Sequence, residues 1–212
     1  MNPSNYLKIK NKIPSNVNIL AVSKGFKSQE IKTIQNAGQN DFGESKFQEA
    51  FEKQLNLKEL KQIKWHFIGR IQSNKIRKIV QNFEYIHSVD SFEKLQKISN
   101  IAFEEKKNPY IMLQVKLSDD TTKGGFRPEV LVSKWREIKE LKNILLTGLM
   151  TINPKGLSSK ANLELFTKCR SLADSLQLPD CSMGMSGDWE EAIDAGSTWL
   201  GLGSLIFGDR YN

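Results

Sequence analysis

The stretch NILAVSKGFKSQEIKTIQNAG, residues 18–38, contains the pattern that decides the fold. Its first five residues are mostly apolar and favour a short buried strand. Ser28 stands where a helix N-cap is expected, and Ile31 and Ile34 share one face of the helix that follows. Gly38 is the residue type that commonly ends a helix. The stretch therefore predicts one β-strand followed by one α-helix.

The same alternation of strand and helix recurs along the whole chain. Strands separated by helices indicate a parallel sheet with right-handed crossovers, and eight such units close into a barrel. We therefore predict an α/β fold, a (β/α)8 TIM-like barrel, as a single domain over residues 1–212. An open doubly wound sheet is the alternative, although no G-x-G-x-x-G motif follows the first strand. The predicted strands are Asn18–Val22, Asp41–Gly43, Trp65–Ile68, Tyr85–Val89, Tyr110–Lys116, Ile144–Met150, Cys181–Met183 and Thr198–Leu202.

Composition narrows the function classes. Hydrophobic residues make up 39% of the chain, and no apolar run approaches the roughly 20 residues of a membrane span. The N-terminus lacks a signal-peptide pattern, so we expect a cytoplasmic protein with no membrane partner. The net charge of +7 is spread along the chain, without the arginine and aromatic patch typical of nucleic-acid binding. Cys169 and Cys181 lack metal-site spacing, so we also expect no metal and no nucleic-acid partner.

Lys24 comes two residues after the first predicted strand, at the edge of a barrel where ligands bind. Partial burial there favours the neutral amine, which is the form that attacks a carbonyl carbon. A lysine that only extends its amine into solvent is an equally good interpretation.

Two glycine–serine loops, Gly184–Ser186 and Gly201–Ser204, follow the seventh and eighth predicted strands. Glycine lets backbone N–H groups approach an anion, and barrels commonly bind phosphate at this position. Most glycine-rich turns are simply turns, so the two loops favour a phosphate site only in combination. A lysine opposite such a site fits a phosphorylated aldehyde. Pyridoxal 5′-phosphate is therefore a candidate cofactor, and a Schiff-base aldolase fits the same pattern.

His66 and His87 titrate near neutral pH and could act as acid–base groups. Because the sequence shows no carboxylate partner for either, a hydrogen-bonded structural histidine is the favoured interpretation. Glu44 is a single carboxylate at the end of the second strand, with no second acid to pair with it.

At these residues the sequence resembles the pyridoxal phosphate homeostasis proteins, a family of small cofactor-binding barrels. The resemblance implies the fold of the alanine racemase N-terminal domain, which is fold type III among pyridoxal phosphate proteins. The matching segments occur in family order over nearly the whole chain. They are AVSK (21–24), FGE (42–44), WHFIG (65–69), QSNK (72–75), GLMT (148–151), SMGMS (182–186) and IFGDR (206–210).

The resemblance implies a Schiff base between the cofactor and Lys24, and phosphate contacts from the two glycine–serine loops. The cofactor-binding residues that it implies are Lys24, Ser186, Gly203, Ser204, Met150, His66 and Ser45. Two positions depart from the family pattern. Ser45 stands where asparagine is usual, and Gly201 stands where the family has an arginine facing the pyridine nitrogen.

The resemblance further implies a role in intracellular pyridoxal phosphate homeostasis, with effects on amino-acid and keto-acid balance. Racemases of the related fold need a tyrosine base from an additional β-domain, and only residues 205–212 follow the second phosphate loop. We therefore expect no efficient catalysis and a monomer that stores, buffers or delivers the cofactor. Apo forms of pyridoxal-phosphate enzymes are candidate recipients. The alternatives are a low-activity, racemase-like enzyme and an interaction protein that uses its basic surface.

Overall fold

A computed structural model describes residues 2–118 and 124–208. Within them eight parallel strands form a closed barrel in chain order, and β1 pairs with β8 to complete the ring. The barrel prediction is confirmed, and the open-sheet alternative is wrong. The elements are α1 (Ser4–Lys10), β1 (Asn18–Val22), α2 (Ser28–Asn36), β2 (Asp41–Glu44), α3 (Phe47–Asn56), β3 (Lys64–Phe67), α4 (Ile76–Asn82), β4 (Tyr85–Val89), α5 (Phe92–Glu104), β5 (Tyr110–Gln114), α6 (Pro128–Glu140), β6 (Leu145–Met150), α7 (Ser159–Ser175), β7 (Asp180–Met185), α8 (Trp189–Asp194), β8 (Trp199–Leu202) and α9 (Ser204–Phe207).

The helix starts follow from local side-chain chemistry. Ser91 and Ser158 cap α5 and α7, because their hydroxyl oxygens accept hydrogen bonds from N–H groups in the first turn. The start of α2 differs from the prediction. Ser28 is its first helical residue, and the cap position is occupied by Lys27, whose N–H donates to Glu30 Oε2 at 2.6 Å. The carboxylate of Glu30 thus satisfies the N–H group at the cap position.

The barrel separates two apolar layers, because successive residues of a strand point to opposite faces of the sheet. A small buried cluster comprises Leu20, Met112, Met150 and Trp199. A much larger cluster extends from the strands into the surrounding helices. Because all eight strands run parallel, their carboxyl ends open at one rim of the barrel. Any site assembled from several strand ends therefore lies at that rim.

Two short helices, α1 and α9, were not predicted from the sequence. They lie against each other, and Tyr6 and Ile9 of α1 are buried. None of the helices within residues 2–118 and 124–208 is long and apolar enough to cross a membrane. The same residues contain no group of three or more His, Cys, Asp or Glu side chains that could hold a metal ion. The single domain over residues 1–212 stays a prediction, because Met1, residues 119–123 and residues 209–212 lie outside the described part.

Candidate functional site

A cavity of about 690 Å³ opens at the carboxyl ends of β1, β6, β7 and β8. Its size is within the usual range for small-molecule sites. Polar side chains that line it are Lys24, Thr151, Lys155, Ser182, Ser186 and Ser204. Apolar side chains that line it include Leu20, Val22, Phe26, Ile68 and Met150. The cavity therefore combines an apolar wall with a small number of amines and hydroxyls.

The cavity brings together most of the residues predicted to bind the cofactor. Lys24, Met150, Ser186, Gly203 and Ser204 all line it. They come from separate parts of the chain: the loop after β1, the end of β6, and the loops after β7 and β8. The lysine amine and the two serine hydroxyls thus border the same space.

Lys24 is half-buried in the turn that follows β1. Side chains of α3 form hydrogen bonds with the backbone of the residues on both sides of it. The carbonyl oxygen of Ser23 accepts a hydrogen bond from Lys53 Nζ at 2.8 Å, and the Gly25 N–H donates to Glu49 Oε1. Gly25 has a φ of +81°, which only glycine adopts readily. The lysine is therefore positioned through the backbone of its immediate neighbours.

A buried cluster of charges lies next to this turn. Lys53 Nζ is 2.7 Å from Glu44 Oε1 and 2.6 Å from Glu49 Oε1, and Ser23 Oγ donates to Glu44 Oε1 at 2.6 Å. Burial raises the pKa of Glu44, although Lys53 opposes the shift. Burial would also raise the pKa of Glu49, but hydrogen bonds from Lys53 and Gly25 lower it. Glu44 Oε2 is buried and has no hydrogen-bond partner among the described residues.

The loops after β7 and β8 also line the cavity. The Leu205 N–H lies 3.4 Å from Ser186 Oγ, and α9 begins at Ser204. A Cβ atom at Gly203 would lie 3.5 Å from the carbonyl oxygen of Val22. Glycine therefore leaves open a gap between β8 and β1 that a side chain would fill. Hydroxyls and accessible backbone at one end, with an amine elsewhere in the same cavity, suit a phosphorylated aldehyde.

Two of the predicted residues lie elsewhere. His66 is fully buried within the barrel and does not line the cavity, because its ring is held between His87 and Asp41. Ser45 lines a separate surface depression with Arg70, and its carbonyl oxygen lies so close to Gly69 that a Cβ there would be 1.9 Å from it. The proposed cofactor site is therefore reduced to the other five residues.

Comparisons with known proteins place the chain in a family. Residues 3–211 match the model of the alanine racemase N-terminal domain. The pyridoxal phosphate homeostasis protein of a Synechocystis strain is 44% identical, over 98% of both chains. The chain belongs to the pyridoxal phosphate homeostasis protein family. The corresponding protein of Pseudomonas aeruginosa is 39% identical, over 93% of this chain and 86% of the relative.

Solved structures agree with this assignment. PipY of Synechococcus elongatus, solved with pyridoxal phosphate bound, is 37% identical and superimposes with a TM-score of 0.94. The match covers 97% of this chain and 99% of PipY. An alanine racemase of Clostridium difficile is 18% identical, with a TM-score of 0.83 over 98% of this chain and 56% of the racemase. At that identity the racemase shows the shared fold alone.

Reasoning from the sequence did not identify three polar residues that lie in or near the cavity. Lys155 lines the cavity five residues after β6, and inspection of that loop would have found it. Lys53 gave no such signal, because a lysine four residues after Glu49 in a helix looks like an ordinary surface ion pair. Ser182 also lines the cavity, from inside β7. Its contacts depend on which side chains meet inside the barrel.

Ser182 ends a chain of hydrogen bonds that runs through the barrel. Ser182 Oγ is 2.9 Å from His87 Nδ1, and His87 Nε2 is 2.9 Å from His66 Nδ1. His66 Nε2 is 3.1 Å from Asp41 Oδ1 at the start of β2. Burial lowers the pKa of His66 against the opposing effect of Asp41, and burial together with His66 lowers the pKa of His87 far more. Burial therefore favours the neutral form of both rings.

Proposed function

We propose that this chain binds pyridoxal 5′-phosphate in the cavity at the carboxyl ends of the strands and holds it as a Schiff base on Lys24. Its role is then intracellular pyridoxal phosphate homeostasis, by storing, buffering or delivering the cofactor. One observation carries the proposal. Lys24 and the two glycine–serine loops, from opposite ends of the sequence, line one cavity of suitable size. The bound cofactor in the similar PipY supports it.

Each residue has a distinct part in this proposal. The Lys24 amine attacks the aldehyde carbon, a C=N bond forms, and the carbonyl oxygen leaves as water. Ser186, Gly203 and Ser204 bind the phosphate through hydroxyls and backbone N–H groups. Met150 packs against the ring. The bound group supplies an electrophilic aldehyde, and the chain supplies its position.

The residues that line the cavity favour a carrier over an efficient racemase. Tyr6, Tyr85 and Tyr110 do not line the cavity, and Tyr211 lies outside the described residues. We therefore expect no efficient turnover, and a low-activity racemase-like enzyme is the second candidate. Effects on amino-acid and keto-acid balance, a cytoplasmic location, a monomeric state and delivery to apoenzymes stay predictions.

Reduction with borohydride tests the Schiff base directly. Purified protein is incubated with pyridoxal 5′-phosphate, reduced and digested, and the modified peptide is identified by mass spectrometry. Lys155→Ala is a matched control, because Lys155 is a second lysine in the same cavity. We expect the label on the peptide containing Lys24 in the wild type and in the control. An undiminished adduct in Lys24→Ala would refute the assignment.

Turnover separates the carrier from the racemase-like enzyme. Holoprotein is incubated with a panel of L- and D-amino acids, and both the cofactor absorption and the enantiomeric composition are followed. We expect changes in absorption that do not exceed one equivalent per cofactor. Sustained racemisation that is lost in Lys24→Ala would instead establish the enzyme.

A further inference from the structure

The hydrogen-bond chain from Asp41 to Ser182 has only one consistent direction. An ionised carboxylate can only accept hydrogen bonds, so the proton between Asp41 and His66 sits on His66 Nε2. A neutral imidazole carries one proton. His66 Nδ1 is therefore an acceptor, and it faces His87 Nε2 at 2.9 Å. His87 Nε2 must then carry the proton of that second bond.

The proton position on His87 also sets the direction of its hydrogen bond with Ser182, which lines the cavity. His87 is fully buried with no carboxylate against it in the described residues, so it too is neutral. With its proton on Nε2, its Nδ1 accepts the hydrogen bond from Ser182 Oγ. The Ser182 hydroxyl thus donates its only hydrogen bond to His87. Its oxygen lone pairs remain available on the cavity side, where the residue is 8% exposed.

The direction of the hydrogen bond between Ser182 and His87 affects a bound ligand because few side chains around Ser182 form hydrogen bonds. Leu20, Ile68 and Met150 line the same cavity and offer no hydrogen bonds. Position 201 adds no side-chain hydrogen bond either, because a glycine stands there. Ser182 lies within β7 and Ser186 directly follows that strand, and both residues line the cavity. A ligand whose phosphate is bound at Ser186 would therefore have its ring in the same cavity as Ser182.

We propose that Ser182 is a fixed hydrogen-bond acceptor in the cavity, oriented by Asp41, His66 and His87, and that it selects a ligand whose ring nitrogen carries a proton. The contact is a direct hydrogen bond from the ring N–H to Ser182 Oγ. A deprotonated ring nitrogen would bring two lone pairs together, which is unfavourable beside the apolar wall of the cavity. This inference rests on the proposed function. It adds which protonation state of the cofactor ring the chain favours.

The proton positions can be tested without any ligand. Nitrogen-15 NMR of the purified protein distinguishes protonated from unprotonated imidazole nitrogens. We expect both histidines as neutral tautomers with the proton on Nε2. In Asp41→Asn, the amide can donate as well as accept, so we expect a second tautomer to become populated at His66 and His87. A proton on Nδ1 of either ring in the wild type, or a charged ring, would overturn the proposal.

Binding measurements test the selection itself. The probes are pyridoxal 5′-phosphate and its 1-deaza analogue, in which a C–H replaces the ring nitrogen. We expect the preference of the wild type for the natural cofactor to fall about tenfold in Ser182→Ala, because one hydrogen bond to a charged donor is lost. Ser88→Ala is the matched control. Its hydroxyl is also buried and donates one hydrogen bond, to the Gly69 carbonyl, but does not line the cavity.

The outcomes separate this inference from the proposed function. An unchanged preference in Ser182→Ala and in Asp41→Asn, with both probes still binding, would overturn the inference alone. If neither probe binds the wild type, the proposed function fails as well. A lowered preference in Asp41→Asn would support the inference even if Ser182→Ala does not fold, because Asp41 lies outside the cavity lining.

Discussion

Replacing Lys53 by methionine should destabilise the protein to an extent that depends on pH. The Lys53 side chain is 6% exposed, and its amine is 2.7 Å from a carboxylate of Glu44 that is 0% exposed. Methionine keeps an unbranched stem but removes the charge. Glu44 then remains buried without a cation, and removing one partner of a buried pair is strongly destabilising.

The expected magnitude follows from the proton that Glu44 would take up instead. From its ordinary pKa of 4.5, protonation costs about 3.4 kcal/mol at pH 7 and about 0.7 kcal/mol at pH 5. These values are upper limits for the carboxyl, because burial already raises its pKa in the wild type. Adding the lost hydrogen bonds, we expect a loss of about 3 kcal/mol at pH 7 and about 1 kcal/mol at pH 5.

The sign of this pH dependence is fixed by linkage. In the variant the folded pKa of Glu44 lies well above its unfolded value, so the folded state binds more protons than the unfolded state above pH 4.5. Its free energy of unfolding therefore rises, relative to the wild type, as the pH falls from 7 to 5.

Urea denaturation at pH 7 and pH 5 measures the effect. Lys32→Met serves as the control, because Lys32 is an exposed lysine of α2 and its loss should change little at either pH. The double variant Glu44→Gln/Lys53→Met removes both charges and should recover most of the lost stability. An equal loss at both pH values in Lys53→Met, or no recovery in the double variant, would show that the buried carboxyl is not the cause.

Three further predictions concern the cavity and the barrel. Gly184→Ala should cost about 3 kcal/mol by urea denaturation, because φ is +95° and the new Cβ would lie 2.4 Å from Ala192 Cβ; Gly187→Ala, with nothing within 4 Å, should cost far less. Ser186→Ala should weaken binding of pyridoxal 5′-phosphate about tenfold by equilibrium dialysis, through loss of a hydrogen bond to a charged phosphate. Burial lowers the pKa of His87, so the unfolded chain binds more protons than the folded chain below pH 6.5. The free energy of unfolding therefore falls as the pH falls. His87→Gln should reduce the slope of the free energy of unfolding against pH by up to about 1.4 kcal/mol per pH unit.

The fold could be predicted from the sequence because its information is local and repeated. The strand and helix in residues 18–38 are specified by an apolar run, a polar helix start and a glycine stop, and similar patterns recur to β8. The rim position of Lys24 and Ser186 follows from the same pattern, because both come directly after strands. Only the pairing of β1 with β8, which closes the barrel, had to be assumed.

The rest of the site depends on contacts that local patterns do not encode. His66 and His87 are 21 residues apart and meet because β3 and β4 are neighbours whose side chains at those positions both point into the barrel. Lys53 is buried only because α3 packs against the turn after β1. Ser45 was assigned through the family pattern, yet it lines a separate depression and not the cavity.

The cluster of Glu44, Glu49 and Lys53 lies next to the turn that carries Lys24, and its cost supports a role there. Apolar residues in place of a buried ion pair are often neutral or stabilising, so the cluster of Glu44 and Lys53 is not explained by stability. It does hold Ser23 and Gly25 on either side of Lys24. The double variant Glu44→Gln/Lys53→Met should therefore regain stability and still form the Schiff base more slowly than the wild type in stopped-flow absorption. A double variant that forms it at the wild-type rate would show that the turn after β1 holds its shape without them.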